Sequence, residues 1–208
     1  MASARRTGFY PWTESEQRAV SRLDSPEKIQ KFLDLALYNT EGTPRVPGQV
    51  LKAKCAHCFD GAVFAASVLS FHGEPALILD LCAERDDDHI LALFRRDGQY
   101  GAIAKSNYVG LRYREPIFKN IRELVLSYFE SYFNLRREKS LREYSLPFDL
   151  KKAKGISWDQ GAGVFDIIAE QLIESPHTKL ITQKQRKALL RVDSRTFSAG
   201  LVGSRRKE

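Results

Sequence analysis

Cys58 is the residue of this chain best suited to chemistry, because it stands where a helix is predicted to begin. The helix is indicated by the small and apolar residues that follow, from Ala62 to Phe71. The first turn of a helix carries backbone N–H groups without intrahelical partners and the positive end of the macrodipole. Both features favour a thiolate over a thiol, and the Cys58 N–H can help to bind an oxyanion. The position therefore predicts a nucleophilic cysteine.

Such a nucleophile needs a histidine that takes its proton and a third group that orients the imidazole. His89 opens a predicted strand that follows the Cys58 helix through one connecting strand, so it can reach the helix N-terminus. Ser106 and Asn107 stand at the end of the next strand and are the candidates for the third group. An asparagine oxygen can accept from the imidazole N–H, and a serine does so more weakly. The predicted catalytic residues are Cys58, His89, and either Ser106 or Asn107.

Three segments together resemble the core of the transglutaminase-like superfamily of papain-fold cysteine enzymes. They are the Cys58-Phe-Asp-Gly-Ala62 sequence, the Gly73-Glu-Pro75-Ala76 turn, and the histidine that begins a strand, and the resemblance covers residues 50 to 107. It implies Cys58 as nucleophile and His89 as base, in a hydrolase or acyltransferase that attacks an amide or isopeptide bond through an acyl-enzyme. Two positions depart from the pattern: Leu91 replaces a usual aromatic residue, and no aspartate ends the next strand.

Other interpretations use the same residues. Cys55 and Cys58 form a C-x-x-C at a helix start, which resembles the redox pair of thioredoxin-fold oxidoreductases. Together with His57 and His89 they could enclose zinc, although a single C-x-x-C is weak evidence for a metal site. Cys58 could also be a small buried side chain, which is the interpretation that we favour for Cys82. We predict that the protein holds no cofactor and no metal.

The net charge of +7 is concentrated near the end of the sequence. The basic residues there are Lys184, Arg186, Lys187, Arg191, Arg195, Arg205, Arg206 and Lys207. Such a surplus can mark a nucleic-acid or other anionic partner, but no aromatic interleaving or base-reading motif accompanies it. A solvated helix face is therefore favoured. The alternative function is a catalytically inactive transglutaminase-like interaction protein that binds an acidic partner or nucleic acid through these helices.

Cysteine usage and hydropathy indicate the compartment. Three cysteines, an odd number, argue against a disulfide scaffold and fit a reducing environment. Apolar runs are too short to span a bilayer, and residues 1–6 lack the apolar segment of a secretory signal. We therefore expect a soluble, cytoplasmic protein without a membrane partner, acting on a protein or peptide substrate. The sequence indicates no particular oligomeric state.

Local signals predict an α+β fold. Capping patterns at Thr13 and Ser25 begin two helices, and a loop leads from there to the Cys58 helix. Three strands follow, 75–82, 89–94 and 99–104, the last two joined by an Asp97-Gly98 hairpin. A long helix is predicted after Pro116, and further helices after residue 157. The expected architecture is a transglutaminase/papain-like core of residues 1–134, with a helix packed on a small antiparallel sheet, and a basic C-terminal helical extension of residues 135–208.

Overall fold

The computed structural model describes residues 8–204. The opening residues 1–6 and three members of the basic group, Arg205, Arg206 and Lys207, lie outside this range. Helix α1, Glu14–Val20, begins at the predicted capping box, in which Thr13 and Glu16 each accept from the other's backbone N–H. Helix α2, Pro26–Leu35, has Ser25 as its N-cap and proline at its first position. Both N-terminal helix predictions are confirmed.

The segment between α2 and the cysteine helix is more regular than the predicted loop. It contains strand β1, Leu37–Tyr38, helix α3, Pro47–Ala53, and strand β2, Cys55–Ala56. Proline begins α3 because its missing N–H costs nothing in the first turn of a helix. Strands β1 and β2 pair in parallel, with Leu37 opposite Cys55 and Tyr38 opposite Ala56. This pairing fixes the chain immediately before Cys58.

Helix α4, Cys58–Phe71, confirms the predicted helix, and every residue from Asp60 to Phe71 is buried. It lies against one face of a seven-stranded antiparallel sheet. Six strands of this sheet follow the order β6-β5-β4-β3-β7-β9, and β8 pairs with β3. The strands are β3 Leu77–Ala83, β4 His89–Arg96, β5 Gln99–Ile103, β6 Arg114–Phe118, β7 Leu141–Ser145, β8 Phe148–Asp149 and β9 His177–Lys179.

The central hairpin is as predicted, but the sheet is larger. Asp97 and Gly98 both have positive φ, of 50° and 79°, as a two-residue hairpin turn requires. Strands β7, β8 and β9 come from the segment after residue 134, which we expected to be helical. Because β7 pairs with β3, this segment is continuous with the central sheet. The boundary between residues 134 and 135 stays a prediction.

Helix α5, Ile121–Phe129, is shorter than predicted, because Ile117 belongs to the edge strand β6 and Asn120 caps the helix. Three more helices complete the described chain: α6 Gly163–Glu174, α7 Gln183–Lys187 and α8 Ser194–Gly200. The helix expected from residue 157 begins instead as a 3₁₀ turn, and α6 follows after Gly161 breaks the path with a positive φ.

Helices cover both faces of the sheet. On β4, Ile90, Ala92 and Phe94 pack in one apolar cluster with α4. Leu91 and Leu93 point the other way, into a second cluster with α5. The mixed α+β class is confirmed, while the transglutaminase/papain assignment stays a prediction. None of the helices within residues 8–204 combines the length and apolarity needed to cross a bilayer.

Candidate active site

Hydrogen bonds between side chains and backbone N–H groups fix the first turn of α4, where Cys58 lies. His57 is the N-cap, and its Nδ1 accepts from the Phe59 N–H at 3.1 Å. The Asp60 carboxylate accepts from the backbone N–H of His57 at 2.6 Å and of Arg45 at 3.0 Å. These bonds tie the loop before α3 to the start of α4, so the position of the thiol is fixed by two chain segments.

His89 is the first residue of β4, and a backbone carbonyl orients its ring. Its Nε2 lies 2.8 Å from the carbonyl oxygen of Leu111. Since a carbonyl only accepts, Nε2 must carry the hydrogen, and Nδ1 of the neutral ring then holds the free lone pair. Tyr132 contacts the same ring edge-on, with centroids 6.4 Å apart. The imidazole is thus held in the tautomer that a general base needs.

The four predicted site residues all line one cavity of about 530 Å³. They are Cys58, His89, Ser106 and Asn107. The rest of the wall comes from Tyr38, Asn39, Thr40, Gly42, His57, Asp86, Asp87, Asp88, Tyr108, Leu111, Tyr132 and Phe133. Residues from five separate parts of the chain therefore converge where α4 and β4 begin.

The thiol and the imidazole share this cavity without a hydrogen bond between them. The Cys58 sulfur lies 3.9 Å from the Asp88 carbonyl oxygen, a long S–H···O contact. His89 has the alternation of Leu91 and Leu93, whose side chains face α5, whereas Cys58 begins α4 on the other face of the sheet. Proton transfer between them requires that a hydrogen bond form during the reaction.

Ser106 does not occupy the place expected of an orienting group, whereas the role predicted for Asn107 stays a prediction. The Ser106 hydroxyl accepts from the Tyr108 N–H at 3.0 Å and so stabilises its own turn. The Leu111 carbonyl makes the contact to the imidazole that we predicted for Ser106 or Asn107. Sequence reasoning missed this group because every residue carries a carbonyl, and only the fold decides which one faces a ring.

The electrostatics of the site keep both groups neutral. Burial raises the pKa of Cys58 to about 11, and the nearby Asp60 and Asp87 carboxylates act in the same direction. The N–H groups of Ile90 and Phe59 oppose the rise but do not cancel it. This rise opposes the expectation that the helix N-terminus would favour the thiolate. Desolvation of the sulfur outweighs the dipole.

The pKa of His89 is shifted in the opposite direction. Burial lowers its pKa to about 4, and the positive charge of Arg114 adds to this, while the Leu111 carbonyl opposes it. At neutral pH the ring is therefore an uncharged base. Behind the thiol, burial raises the pKa of Asp60 to about 7, even though the backbone N–H groups of Arg45, His57 and Gly61 favour its charged form.

An acidic turn forms one rim of the cavity. Tyr132 fixes this turn, because its hydroxyl donates to the carbonyl oxygens of Asp87 at 2.7 Å and Leu81 at 3.3 Å. Asp87 and Asp88 are exposed, as expected of a solvated loop, whereas Asp86 is partly buried and accepts from Ser140. The rim therefore places negative charge beside Cys58.

A buried lysine supports the wall that carries Ser106 and Asn107. The Lys105 ammonium donates to the carbonyl oxygens of Leu33 at 2.7 Å and Ala36 at 2.5 Å, at the C-terminal end of α2. A cation is favourable there because the last carbonyls of a helix carry its negative partial charge. Nothing in the local sequence distinguishes this lysine from a surface one.

The two competing interpretations of the C-x-x-C find little support in this geometry. Cys55 lies in β2, which pairs with β1 outside the main sheet, so the central βα unit of a thioredoxin-like site is not formed. His57 uses Nδ1 to cap α4. Within residues 8–204, Cys55, His57, Cys58 and His89 do not form a convergent set of metal ligands.

Comparison with known proteins adds no family assignment. The chain matches none of the models of known protein families. No curated protein matches it significantly in sequence. The functional interpretation therefore depends on the geometry of the site and on the resemblance of residues 50–107 described above.

Proposed function

We propose that the protein is a transglutaminase-like cysteine hydrolase or acyltransferase that acts on an amide or isopeptide bond. One observation carries this proposal: the thiol at the N-terminus of α4 and an imidazole in the base tautomer open into the same cavity. Cys58 is the nucleophile, His89 is the base, and the Leu111 carbonyl is the positioning group. No ion pair is assumed in the resting site.

In the proposed reaction the Cys58 sulfur attacks the substrate carbonyl carbon while its proton passes to Nδ1 of His89. The Leu111 carbonyl stabilises the imidazolium through the Nε2–H bond. The Cys58 backbone N–H, one of the groups without an intrahelical partner, contributes to binding of the oxyanion. Collapse of the intermediate expels an amine, which takes the proton from His89. Water or a second amine then cleaves the thioester.

The pKa values of Cys58 and His89 limit the rate of the proposed reaction. The gap between about 11 for Cys58 and about 4 for His89 corresponds to on the order of 10 kcal/mol for proton transfer, at about 1.4 kcal/mol per pKa unit. Partial exposure of Cys58 to the cavity reduces this cost through solvent screening. A turnover of about 1 s⁻¹ allows a total barrier of roughly 17 kcal/mol. A neutral resting pair is therefore compatible with slow catalysis.

The acidic rim bears on the substrate class. Asp87 and Asp88 repel an anionic group near Cys58 and attract a cationic one. Tyr38 and Tyr108 add aromatic surface to the same cavity. We therefore propose a neutral or lysine-containing peptide amide, which includes isopeptides, as the favoured substrate.

The proposal is tested by incubating the protein with a defined mixture of glutamine-containing and lysine-containing peptides and isopeptides. Mass spectrometry then detects deamidated, cleaved or amine-linked products. Wild-type protein should give such products, Cys58→Ser should give none, and Cys55→Ser should match the wild type. Products formed equally by Cys58→Ser would exclude the assignment of the nucleophile.

The second candidate is the catalytically inactive interaction protein, and a specific observation favours it: the resting thiol and imidazole are both neutral. Lys184, Lys187, Arg191 and Arg195 are exposed in the C-terminal region. Arg186 is instead paired with Glu84. This candidate predicts binding to a polyanion such as poly-uridine RNA, with an affinity that falls steeply as salt rises. Absence of binding at low salt would exclude the nucleic-acid form of this candidate.

A further inference from the structure

Three side chains with different ligand chemistry meet on the sheet, away from the Cys58 cavity. Asp80 and Cys82 are alternate residues of β3, so they point to the same side. His177 begins β9, and β7 lies between the two strands. In the antiparallel pairing of β3 with β7, Tyr144 lies opposite Leu81, so the next residue, Ser145, lies opposite Asp80. Ser145 also lies opposite His177 of β9, which places His177 in the same row as Asp80.

The ligand atoms of this cluster lie close enough to hold one ion. The Cys82 sulfur, one Asp80 oxygen and one His177 nitrogen all lie within 4.8 Å of one another. Asp80 Oδ2 is 3.4 Å from the sulfur and 3.9 Å from His177 Nε2. Ligands around tetrahedral zinc are separated by about 3.3–3.5 Å, given metal–ligand bonds of about 2.0–2.3 Å. The sulfur–Oδ2 separation matches, the Oδ2–Nε2 separation needs only a small side-chain adjustment, and the sulfur and the His177 nitrogen lie within 4.8 Å of each other.

A second, independent observation points to a cation. Asp80 Oδ1 is buried and has no hydrogen-bond partner within residues 8–204, and the side chain is 8 % exposed. A buried carboxylate oxygen without a partner loses its hydration without compensation, so such an atom calls for an explanation. The Cys82 thiol and His177 both lie at Oδ2 of Asp80 and leave Oδ1 without a partner. A metal ion can instead be bound by both carboxylate oxygens.

The surrounding charge has the sign that a cation requires. The Asp88 carboxylate accepts from the Ala83 N–H at 2.7 Å, and its negative charge acts on Asp80, Cys82 and His177. Glu143 adds further negative charge near Cys82. Nearby acidic groups of this kind raise the local concentration of a divalent ion.

We propose that Asp80, Cys82 and His177 form a zinc-binding site that ties β9 to β3 across β7. A set of one sulfur, one nitrogen and one oxygen ligand suits zinc, whereas calcium and magnesium prefer oxygen alone. Binding replaces the S–H bond of Cys82 with a Zn–S bond and releases the proton to solvent. The site does not depend on the proposed amide chemistry. It differs from our prediction of no metal and of Cys82 as a core residue.

The test uses the full chain without an affinity tag, stripped of metal with a chelator and then titrated with Zn²⁺ against a chromophoric competitor. One equivalent should bind, and the thermal midpoint should rise. Co²⁺ in place of zinc should give a thiolate charge-transfer band. That band should vanish in Cys82→Ser, while zinc affinity should fall at least tenfold in His177→Gln. Cys55→Ser and Cys58→Ser are the matched controls and should bind like the wild type.

Asp80→Asn is a second, near-isosteric variant, and circular dichroism of each variant checks that it is folded. Loss of stoichiometric zinc binding in Asp80→Asn, with the fold intact, would support the site. Absence of zinc binding by the wild type would overturn the proposal. A cobalt band that persists in Cys82→Ser but disappears in Cys58→Ser would also overturn it, because the metal would then lie at the C-x-x-C.

Discussion

The alkylation rate of Cys58 as a function of pH follows directly from its surroundings. Burial and the nearby Asp60 and Asp87 raise its pKa to about 11. At pH 7.5 the thiolate fraction is then on the order of 0.0003, compared with about 0.1 for a free cysteine with a pKa of about 8.5. We therefore expect Cys58 in the folded protein to react with iodoacetamide roughly 300-fold more slowly than in the denatured chain, since the thiolate is the reactive form.

The assay is a short pulse of iodoacetamide between pH 6 and pH 11, followed by digestion and mass spectrometry of the Cys58 peptide. The same pulse in denaturant provides the reference rate for each pH. Asp60→Asn removes one negative charge near the sulfur and should move the midpoint of the rate profile to lower pH. A wild-type midpoint below about 8.5 would refute the electrostatic reasoning and would indicate a preformed thiolate.

Three further predictions concern the elements that support the site. The pKa of Asp60 is raised by burial from 3.8 to about 7, so the free energy of unfolding should fall by about 4 kcal/mol as pH rises from about 4 through 7. Between pH 5 and pH 8 about 3 kcal/mol of this loss should appear in urea unfolding of the wild type. Asp60→Asn should remove this difference and the exposed Asp97→Asn should retain it, so an unchanged difference in Asp60→Asn would contradict the argument. Gly61→Ala would place a Cβ 2.7 Å from the Lys105 Cβ and should lower the free energy of unfolding by about 1–3 kcal/mol. In the control Gly163→Ala the added Cβ meets nothing within 4 Å, so the stability should be unchanged or slightly higher. Equal stabilities of the two variants in urea unfolding would show that α4 tolerates the added methyl. Lys105→Met removes two hydrogen bonds to the carbonyl oxygens at the end of α2 and should lower the free energy of unfolding in urea by about 3 kcal/mol. A variant as stable as the wild type would argue against the capping role of Lys105.

Local signals in the sequence were sufficient for the elements that depend on near neighbours. The capping box at Thr13, the Asp97-Gly98 hairpin and the helix after His57 involve contacts within a few residues. Convergence of Cys58 and His89 on one cavity was also predictable, because β3 and β4 follow α4 directly in the chain.

Long-range contacts explain what the sequence did not reveal. Strands β7 and β9 are short and mixed in polarity. Strand β7 pairs with β3, which lies far upstream, and β9 pairs with β7. The sequence around Cys82 predicts an apolar strand residue, because its neighbour His177 lies almost a hundred positions later in the chain. The rise in the pKa of Cys58 depends on how deeply the start of α4 is covered, which a helix-dipole argument does not include. Residue spacing indicates neighbours along an element, but not burial.

The central claim is that Cys58 accepts an acyl group with His89 as the base, and single-turnover acylation tests it without a known substrate. The folded protein is mixed with p-nitrophenyl acetate at pH 7.5, and acetylation of Cys58 is followed by mass spectrometry. General-base catalysis typically contributes 10²–10⁴-fold, so His89→Gln should acetylate at least about 100-fold more slowly than the wild type. Equal rates in the wild type and in a folded His89→Gln variant would contradict the claim.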